Sequence, residues 1–301
     1  MNRMLWFIGD CLIMSVHRTH IAIISKIIMT RISRDYRKER TVAVDAAWSA
    51  ARLIRAHVGR LHDTDIRDKG VSDLVTTVDE ASEALLIQQL RGAFPAYDVL
   101  AEESGGKTPS ECDGYRWIID PIDGTTNFAH ALPPFAVSIA LQREEEVVLG
   151  VVLEVSSGQL FTAVRGHGAF CNGVQVSVSQ RATLAGSVVA TGFPYRTFSH
   201  VGPYLDVLRR FMAGTRGVRR FGAASYDLAL VASGRFDGFF ETGLHAWDVA
   251  AGTLLVEEAG GRVTDHAGKG NPVFARQIVA SNGVVHDEML TIVQAMCDVR
   301  A

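Results

Sequence analysis

Asp120 and Asp123 stand three residues apart at the end of an apolar run, in Trp117-Ile118-Ile119-Asp120-Pro121-Ile122-Asp123-Gly124-Thr125-Thr126-Asn127-Phe128. Trp117 to Ile119 have strand character, and Pro121 has no N–H to give a sheet ladder. The spacing predicts a strand that stops at Asp120 and leaves its carboxylate at the carboxyl end, the edge where layered α/β structures bind ligands. Gly124 lets backbone approach a ligand closely, and Thr125, Thr126 or Asn127 can open a helix. A helix start offers free N–H groups that suit a phosphate. Two carboxylates beside such a start would repel an anion unless cations lie between them, so the stretch reads as a metal-plus-phosphate site.

Other acids fall at similar places. Asp98-Val99-Leu100-Ala101 is a short strand that runs into Glu102-Glu103-Ser104-Gly105-Gly106. Thr77-Val78-Asp79-Glu80 has the spacing of a capping box, which puts Asp79 in the first turn of a helix reaching about Arg91. Trp247-Asp248-Val249-Ala250-Ala251-Gly252 starts a helix that runs to Glu258 and stops at Gly260-Gly261. Glu102, Asp120, Asp123 and Asp248 thus come from separate segments, each where a strand ends or a helix begins. Oxygen-only ligands select hard cations such as Mg²⁺ or Mn²⁺ over zinc. Two such ions about 3.5–4 Å apart suit phosphate-ester cleavage.

These stretches resemble the inositol monophosphatase family. The run from Trp117 to Phe128 is similar to its first signature, and Trp247 to Gly252 with Glu258-Ala259-Gly260-Gly261 to its second. Glu102-Glu103-Ser104 and Asp73-Leu74-Val75-Thr76-Thr77-Val78-Asp79 match in order and approximate spacing, so the resemblance covers about Thr41 to the C-terminus. It implies a layered αβαβα sandwich, an α/β (α+β) fold. It also implies that Glu102, Asp120, Asp123, Asp248 and the Ile122 carbonyl hold two Mg²⁺ ions, with Asp79 and Glu102 sharing a third. Thr125, close to Asp79, would position the attacking water, giving direct in-line attack without a phospho-enzyme. The N–H groups of Gly124 and Thr125 would grip the phosphate, alongside Asp123 and Asp248. Glu241 would bind sugar hydroxyls, the Ala224 backbone would line the same pocket, and Lys69 resembles a lysine of a mobile loop. The expected substrate is myo-inositol 1-phosphate or a similar sugar phosphate. Relatives in the family act on fructose 1,6-bisphosphate, 3′-phosphoadenosine 5′-phosphate or histidinol phosphate, and some bacterial members bind transcription machinery. Homodimers are common in the family.

Elements must bring these acids together. Val42, Ala46, Ala50, Leu53 and Ile54 predict a helix over 41–57, and the helix after Thr77 is expected to turn Val78, Ala81, Leu85 and Leu86 inward. Val137–Leu141, Val147–Glu154 and Leu160–Val164 read as strands, the last two joined by a hairpin at Ser156-Ser157-Gly158. Strands near Ser187–Ala190, Val218–Phe221, Phe236–Glu241, Arg262–Thr264 and Ile278–Ala280 alternate with helices near Tyr204–Met212, Ala224–Ser233 and Asp287–Met296. The domains expected are residues 1–40 as an N-terminal extension, 41–180 as an α+β metal-binding part and 181–301 as an α/β part completing the site.

Composition sets outer limits. The 301 residues are 48% hydrophobic and 21% charged, as in ordinary globular proteins, and the net charge of −3 gives no global basic field for nucleic acid. Cys11, Cys112, Cys171 and Cys297 form no Cys-x-x-Cys pair, which fits a reducing cytoplasm. Asp10, His17, Arg18, His20 and Lys26 break the apolar segments of the first 30 residues, leaving no run near the ~18 residues that span a bilayer. Arg31 to Arg40 is a charged, linker-like run, and Met29 is an alternative start within the extension.

Overall fold

A computed structural model describes residues 35–70, 73–105, 114–194 and 201–296. The expectations for the apolar segments before residue 35, and for Cys11, Cys112 and Cys297, lie outside these residues.

Helix α1, Arg37–His57, starts four residues before the expected position. The charged run does not act as a linker there. Glu39 is buried in the first turn, where its charge suits the helix dipole, and its carboxylate accepts a bond from the Tyr97 hydroxyl at 3.2 Å. A stripe of Ala43, Ala46, Ala47, Ala50, Ala51 and Ile54 is buried. A hairpin of β1 (Ile66–Gly70) and β2 (Asp73–Thr76) leads into α2, Thr77–Ala93. The helix starts one residue earlier than the spacing suggested. Thr76 is the cap, and its hydroxyl oxygen accepts the N–H groups of Val78 and Asp79. The buried stripe of α2 is Val78, Asp79, Ser82, Glu83, Leu86 and Leu90, whereas Ala81 is exposed and Leu85 half-buried. Polar residues are buried here because each meets a fixed partner, as described below.

Seven strands form the first sheet in chain order: β3 (Asp98–Ala101), β4 (Tyr115–Asp123), β5 (Ala136–Arg143), β6 (Glu146–Glu154), β7 (Gln159–Val164), β8 (Ala169–Cys171) and β9 (Val174–Val176). Only β3 and β4 pair in parallel, and the rest is an antiparallel meander. A short helix, α3 (Thr125–Ala129), follows β4. The second sheet holds β10 (Val188–Thr191), β11 (Gly217–Arg219), β12 (Gly238–Thr242), β13 (Arg262–Thr264) and β14 (Gln277–Ser281), in the order β11-β10-β12-β14-β13. Its helices are α4 (Val201–Gly214), α5 (Ala224–Ala232), α6 (Ala246–Glu258) and α7 (His286–Val293), the last shorter than expected because Gln294–Met296 tightens into a 3₁₀ turn.

From Arg37 onward these elements belong to one compact unit, stacked in five layers. Helices α1 and α2 cover the outer face of the first sheet. Helices α5 and α6 lie between the sheets and pack on both, while α4 and α7 cover the far face of the second sheet. The layering is αβαβα. Every residue of α5 is buried, and α6 is buried through most of its length, which accounts for their lack of a polar face. Leu228, Leu254, Leu255, Phe161 and Phe239 belong to the main core between the sheets. No helix among the described residues is long and apolar enough to cross a membrane.

Candidate active site

Strand β4 does not stop at Asp120. It runs through Pro121 to Asp123 with a break in pairing: Asp120 faces Ser138, but Asp123 faces Ala136. Three steps on β4 thus match two on β5, which is a one-residue bulge. Proline cannot donate to the ladder, and the Ile122 N–H turns back to Asp120 Oδ1 at 3.0 Å. The bulge has a chemical effect. On a regular strand, residues three apart face opposite sides. The extra residue restores parity, and both carboxylates reach the same cluster of acids.

Helix α2 acts as the jig for this loop. The Ser82 hydroxyl donates to the Pro121 carbonyl at 3.2 Å, and Glu83 accepts the N–H groups of Glu103 and Ser104 at 2.7 and 2.9 Å. One helix thereby fixes both the β4 bulge and the loop carrying Glu102. Its first-turn residue Asp79 is fully buried. Asp79 Oδ2 accepts from the Thr76 N–H and hydroxyl, and Oδ1 lies 3.0 Å from the Thr125 hydroxyl. That hydroxyl is also 3.0 Å from the Ile122 carbonyl oxygen, so its single proton has two acceptors.

Asp123 is held from the other side. Its Oδ1 accepts the Ala224 N–H at 3.1 Å, and Oδ2 accepts the Ser225 N–H at 2.7 Å and the Ser225 hydroxyl at 2.5 Å. The carboxylate thus caps α5, using the Ala224 N–H for its own support. Gly124 has φ +92°, and a Cβ there would lie 3.0 Å from the Gly222 carbonyl oxygen and 3.3 Å from Ala223 Cβ. A side chain at this position is excluded by both backbone conformation and space. Asn127 closes the same seam by donating to the carbonyls of Pro134 and Phe221.

Asp248 enters from α6. Its Oδ2 accepts the His245 N–H at 2.6 Å, and the Ser138 hydroxyl donates to the Trp247 carbonyl, tying this helix start to the strand opposite Asp120. Trp117 is fully buried and Trp247 half-buried, and His245 stacks on Trp247 at 4.5 Å. Lys69 on β1 reaches Glu103 Oε1 at 2.6 Å and Glu102 Oε1 at 3.5 Å. Glu241 stands in β12, and its charge is felt at Asp248.

These acids raise one another. Burial first, then Glu102, Asp123, Asp248 and Asp79, push the Asp120 carboxyl well above the usual range. Burial, with Glu102 and Asp123, does the same to Asp248, although that residue keeps some exposed surface. Burial also raises Glu102 and Asp123, the latter against its bonds from Ser225 and Ala224. Asp79 is pushed up to about 6 by burial, against its bonds from Thr76 and Thr125. The Asp120 and Glu102 carboxyls act on each other directly at the centre of this cluster. Among the described residues no three His, Cys, Asp or Glu side chains converge as a ready-made cage. Each carboxylate is instead held by the chain, with an oxygen-only donor set around it. Such buried, mutually repelling oxygens fit a hard divalent cation, whose charge would offset their repulsion.

The comparisons with known proteins point the same way. The model of the inositol monophosphatase family matches residues 35–297. Inositol-1-monophosphatase of Mesorhizobium japonicum is 43% identical over 253 residues, covering 84% of this chain and 95% of the relative. The Nus factor SuhB of Pseudomonas aeruginosa is 44% identical over 256 residues, covering 84% and 94%. The crystal structure of the extragenic suppressor protein suhB from Bartonella henselae superposes with a TM-score of 0.81 at 41% identity, covering 85% of this chain and 98% of that one.

Proposed function

The chain belongs to the inositol monophosphatase family, and from that premise we propose that it is a cytoplasmic, homodimeric, Mg²⁺-dependent phosphomonoesterase. Its substrate is myo-inositol 1-phosphate or a similar sugar phosphate, and its products are the free alcohol and inorganic phosphate. The observation that carries this reading is the Thr125 hydroxyl, 3.0 Å from both Asp79 Oδ1 and the Ile122 carbonyl, at the edge of the carboxylate cluster.

Glu102, Asp120, Asp123, Asp248 and the Ile122 carbonyl would hold two Mg²⁺ ions, or Mn²⁺ in their place, with Asp79 and Glu102 reaching a third. When bound, these ions supply Lewis acidity that acidifies water and neutralises charge developing on the ester oxygens. The chain supplies position. Thr125 orients the attacking water through its hydroxyl, and Asp79 takes up the proton passed along that bond. The first-turn N–H groups of Gly124 and Thr125 have no acceptor within their own helix and hold the phosphate. Glu241 receives hydroxyls of the alcohol, which leaves as the phosphorus–oxygen bond breaks and takes a proton from solvent.

Phosphate release from inositol, sugar and nucleotide phosphates, measured with and without Mg²⁺, tests the proposal. Release confined to Mg²⁺-containing samples and strongest on inositol 1-phosphate is expected; no release from any ester sinks it. The name of the Pseudomonas relative supports a second reading, a role alongside transcription machinery, carried by the same fold. Co-purification with RNA polymerase checks that role, and size-exclusion chromatography checks the dimer.

A further inference from the structure

Strand β12 ends at Thr242 and α6 begins at Ala246, so the turn Gly243-Leu244-His245 decides where the first turn of α6 puts Asp248. One side chain from outside the turn holds it. β12 pairs antiparallel with β14 as far as Thr242 opposite Gln277. One step further the backbone leaves strand geometry, with Arg276 at φ +61° and Gly243 at φ +87°. The Gly243 N–H still donates to the Arg276 carbonyl at 2.7 Å. In a regular hydrogen-bonded pair the second bond would run from the Arg276 N–H to the Gly243 carbonyl. Here the guanidinium supplies it, Arg276 Nη2 donating to that carbonyl at 3.1 Å.

The same guanidinium extends to His245, where Nη1 lies 3.4 Å from Nδ1. A guanidinium carries donors only, so Nδ1 accepts. The ring so held lies parallel to Trp247, with centroids 4.5 Å apart and 3° between the planes. The His245 N–H in turn donates to Asp248 Oδ2 at 2.6 Å. A continuous line of contacts thus runs from Arg276 through the turn to the Asp248 carboxylate. Arg276 is exposed, so core packing does not account for it. An arginine in the left-handed region is uncommon, and such a conformation persists where surrounding contacts impose it, chiefly at functional sites. Glycine would adopt it freely, so what arginine adds at this position is its side chain.

We propose that Arg276 is a positioning residue of the active site, which holds the Gly243–His245 turn so that Asp248 stands in place for a divalent cation. The inference rests on the Mg²⁺-dependent phosphatase reading and deepens it: the site's affinity for its cation is set in part by a side chain that acts only through the turn.

Cation binding is read without turnover, from the loss of the free Mn²⁺ signal in electron paramagnetic resonance as the full chain is added. Arg276→Gly keeps the backbone conformation available and removes the guanidinium. It is expected to raise the Mn²⁺ Kd about tenfold, and the Mg²⁺ concentration for half-maximal phosphate release by a similar factor. KM for myo-inositol 1-phosphate at saturating Mg²⁺ is expected to stay within about twofold of wild type. Arg276→Lys offers one nitrogen in place of the fork, so its Kd is expected between those of wild type and the glycine variant. A purely structural role would lower the thermal midpoint of the metal-free chain and leave Kd unchanged, and that result overturns the inference while leaving the phosphatase reading intact. Should glycine prevent folding, Arg276→Lys carries the same comparison. A wild-type chain that neither binds Mn²⁺ nor releases phosphate overturns both.

Discussion

Helices α2 and α6 open on the same local device: an aspartate in the first turn reaches back to the cap N–H, Asp79 to Thr76 at 2.9 Å and Asp248 to His245 at 2.6 Å. Their other halves differ. The Thr76 hydroxyl returns bonds to α2, whereas the His245 side chain makes no cap bond and its ring lies against Trp247. Asp79 is fully buried and has hydroxyl donors on both oxygens. Asp248 is partly exposed and lies among the charges of Glu102, Asp123 and Glu241. A capping box therefore fixes where a carboxylate stands but not its role. At α2 the surrounding hydroxyls suit a proton acceptor, and at α6 the surrounding charges suit a cation ligand.

Asparagine substitutions separate the two roles, because the amide oxygen can still accept the cap N–H. Asp248→Asn and Asp120→Asn are expected to lower phosphate release about a thousandfold, with a thermal midpoint equal to or above wild type as like-charge repulsion is relieved. Activity within tenfold of wild type in either variant would break the assignment. Asp79→Asn is expected to cost less, about a hundredfold, with Thr125→Ala similar and the double variant no worse than the weaker single. Additive losses would show that the two residues act separately.

A titration outside the site must be removed before acid effects on the two helix starts can be read. His286 is buried between the Thr264 and Ser281 hydroxyls, and the Thr264 hydroxyl already donates to the Asp265 carbonyl. Thr264 Oγ1 therefore accepts from Nε2–H, and the Ser281 hydroxyl donates to Nδ1, so the ring fits its place only when neutral. Burial lowers its pKa to about 4, as it does for His266. Between about 6.5 and 4 the unfolded chain binds protons that the folded chain refuses, so stability is present above 6.5 and falls as pH drops through this window. His286→Gln is expected to remove about 3 kcal/mol of the stability otherwise lost across that window, read in metal-free denaturant titrations at pH 7 and pH 4. An unchanged slope would mean the ring is not held neutral. The smallest effect belongs to the cap itself: Thr76→Ala is expected to cost about 1 kcal/mol, visible in the same titrations, and His245→Ala less.

Much of the site was legible because its residues sit in short strings with local physical meaning. Asp120, Asp123, Gly124 and Thr125 lie within six positions, and the apolar run before them and the glycine after them mark a strand edge and a turn. The αβαβα layering came from the family resemblance, and the alternation of strands and helices in the second half by itself marked only an α/β layer. Local signals failed where two answers differed only by context. Thr76 and Thr77 both precede an acid at capping distance, and packing rather than spacing chose Thr76. Pro121 was expected to end a strand but instead sits in a bulge, because β5 continues to pair beyond it. The Arg37–Arg40 run looked like a linker until Tyr97 gave Glu39 a partner. Long-range clamps left no local trace. Ser225 holds Asp123 from 102 positions away, and Glu83 holds the Glu102 loop. Arg276 likewise reaches Gly243 and His245 from 33 and 31 positions away.

The bulge in β4 makes the site depend on a count of residues as well as on their kinds. Inserting one residue between Asp120 and Asp123 would leave every acid in the chain and still cancel the parity that the bulge restores, turning Asp123 away from Asp120 toward the opposite face of the sheet. No side-chain replacement at either aspartate could compensate for that insertion. The segment should therefore tolerate exchange of Ile122 for another apolar residue far better than any change of length.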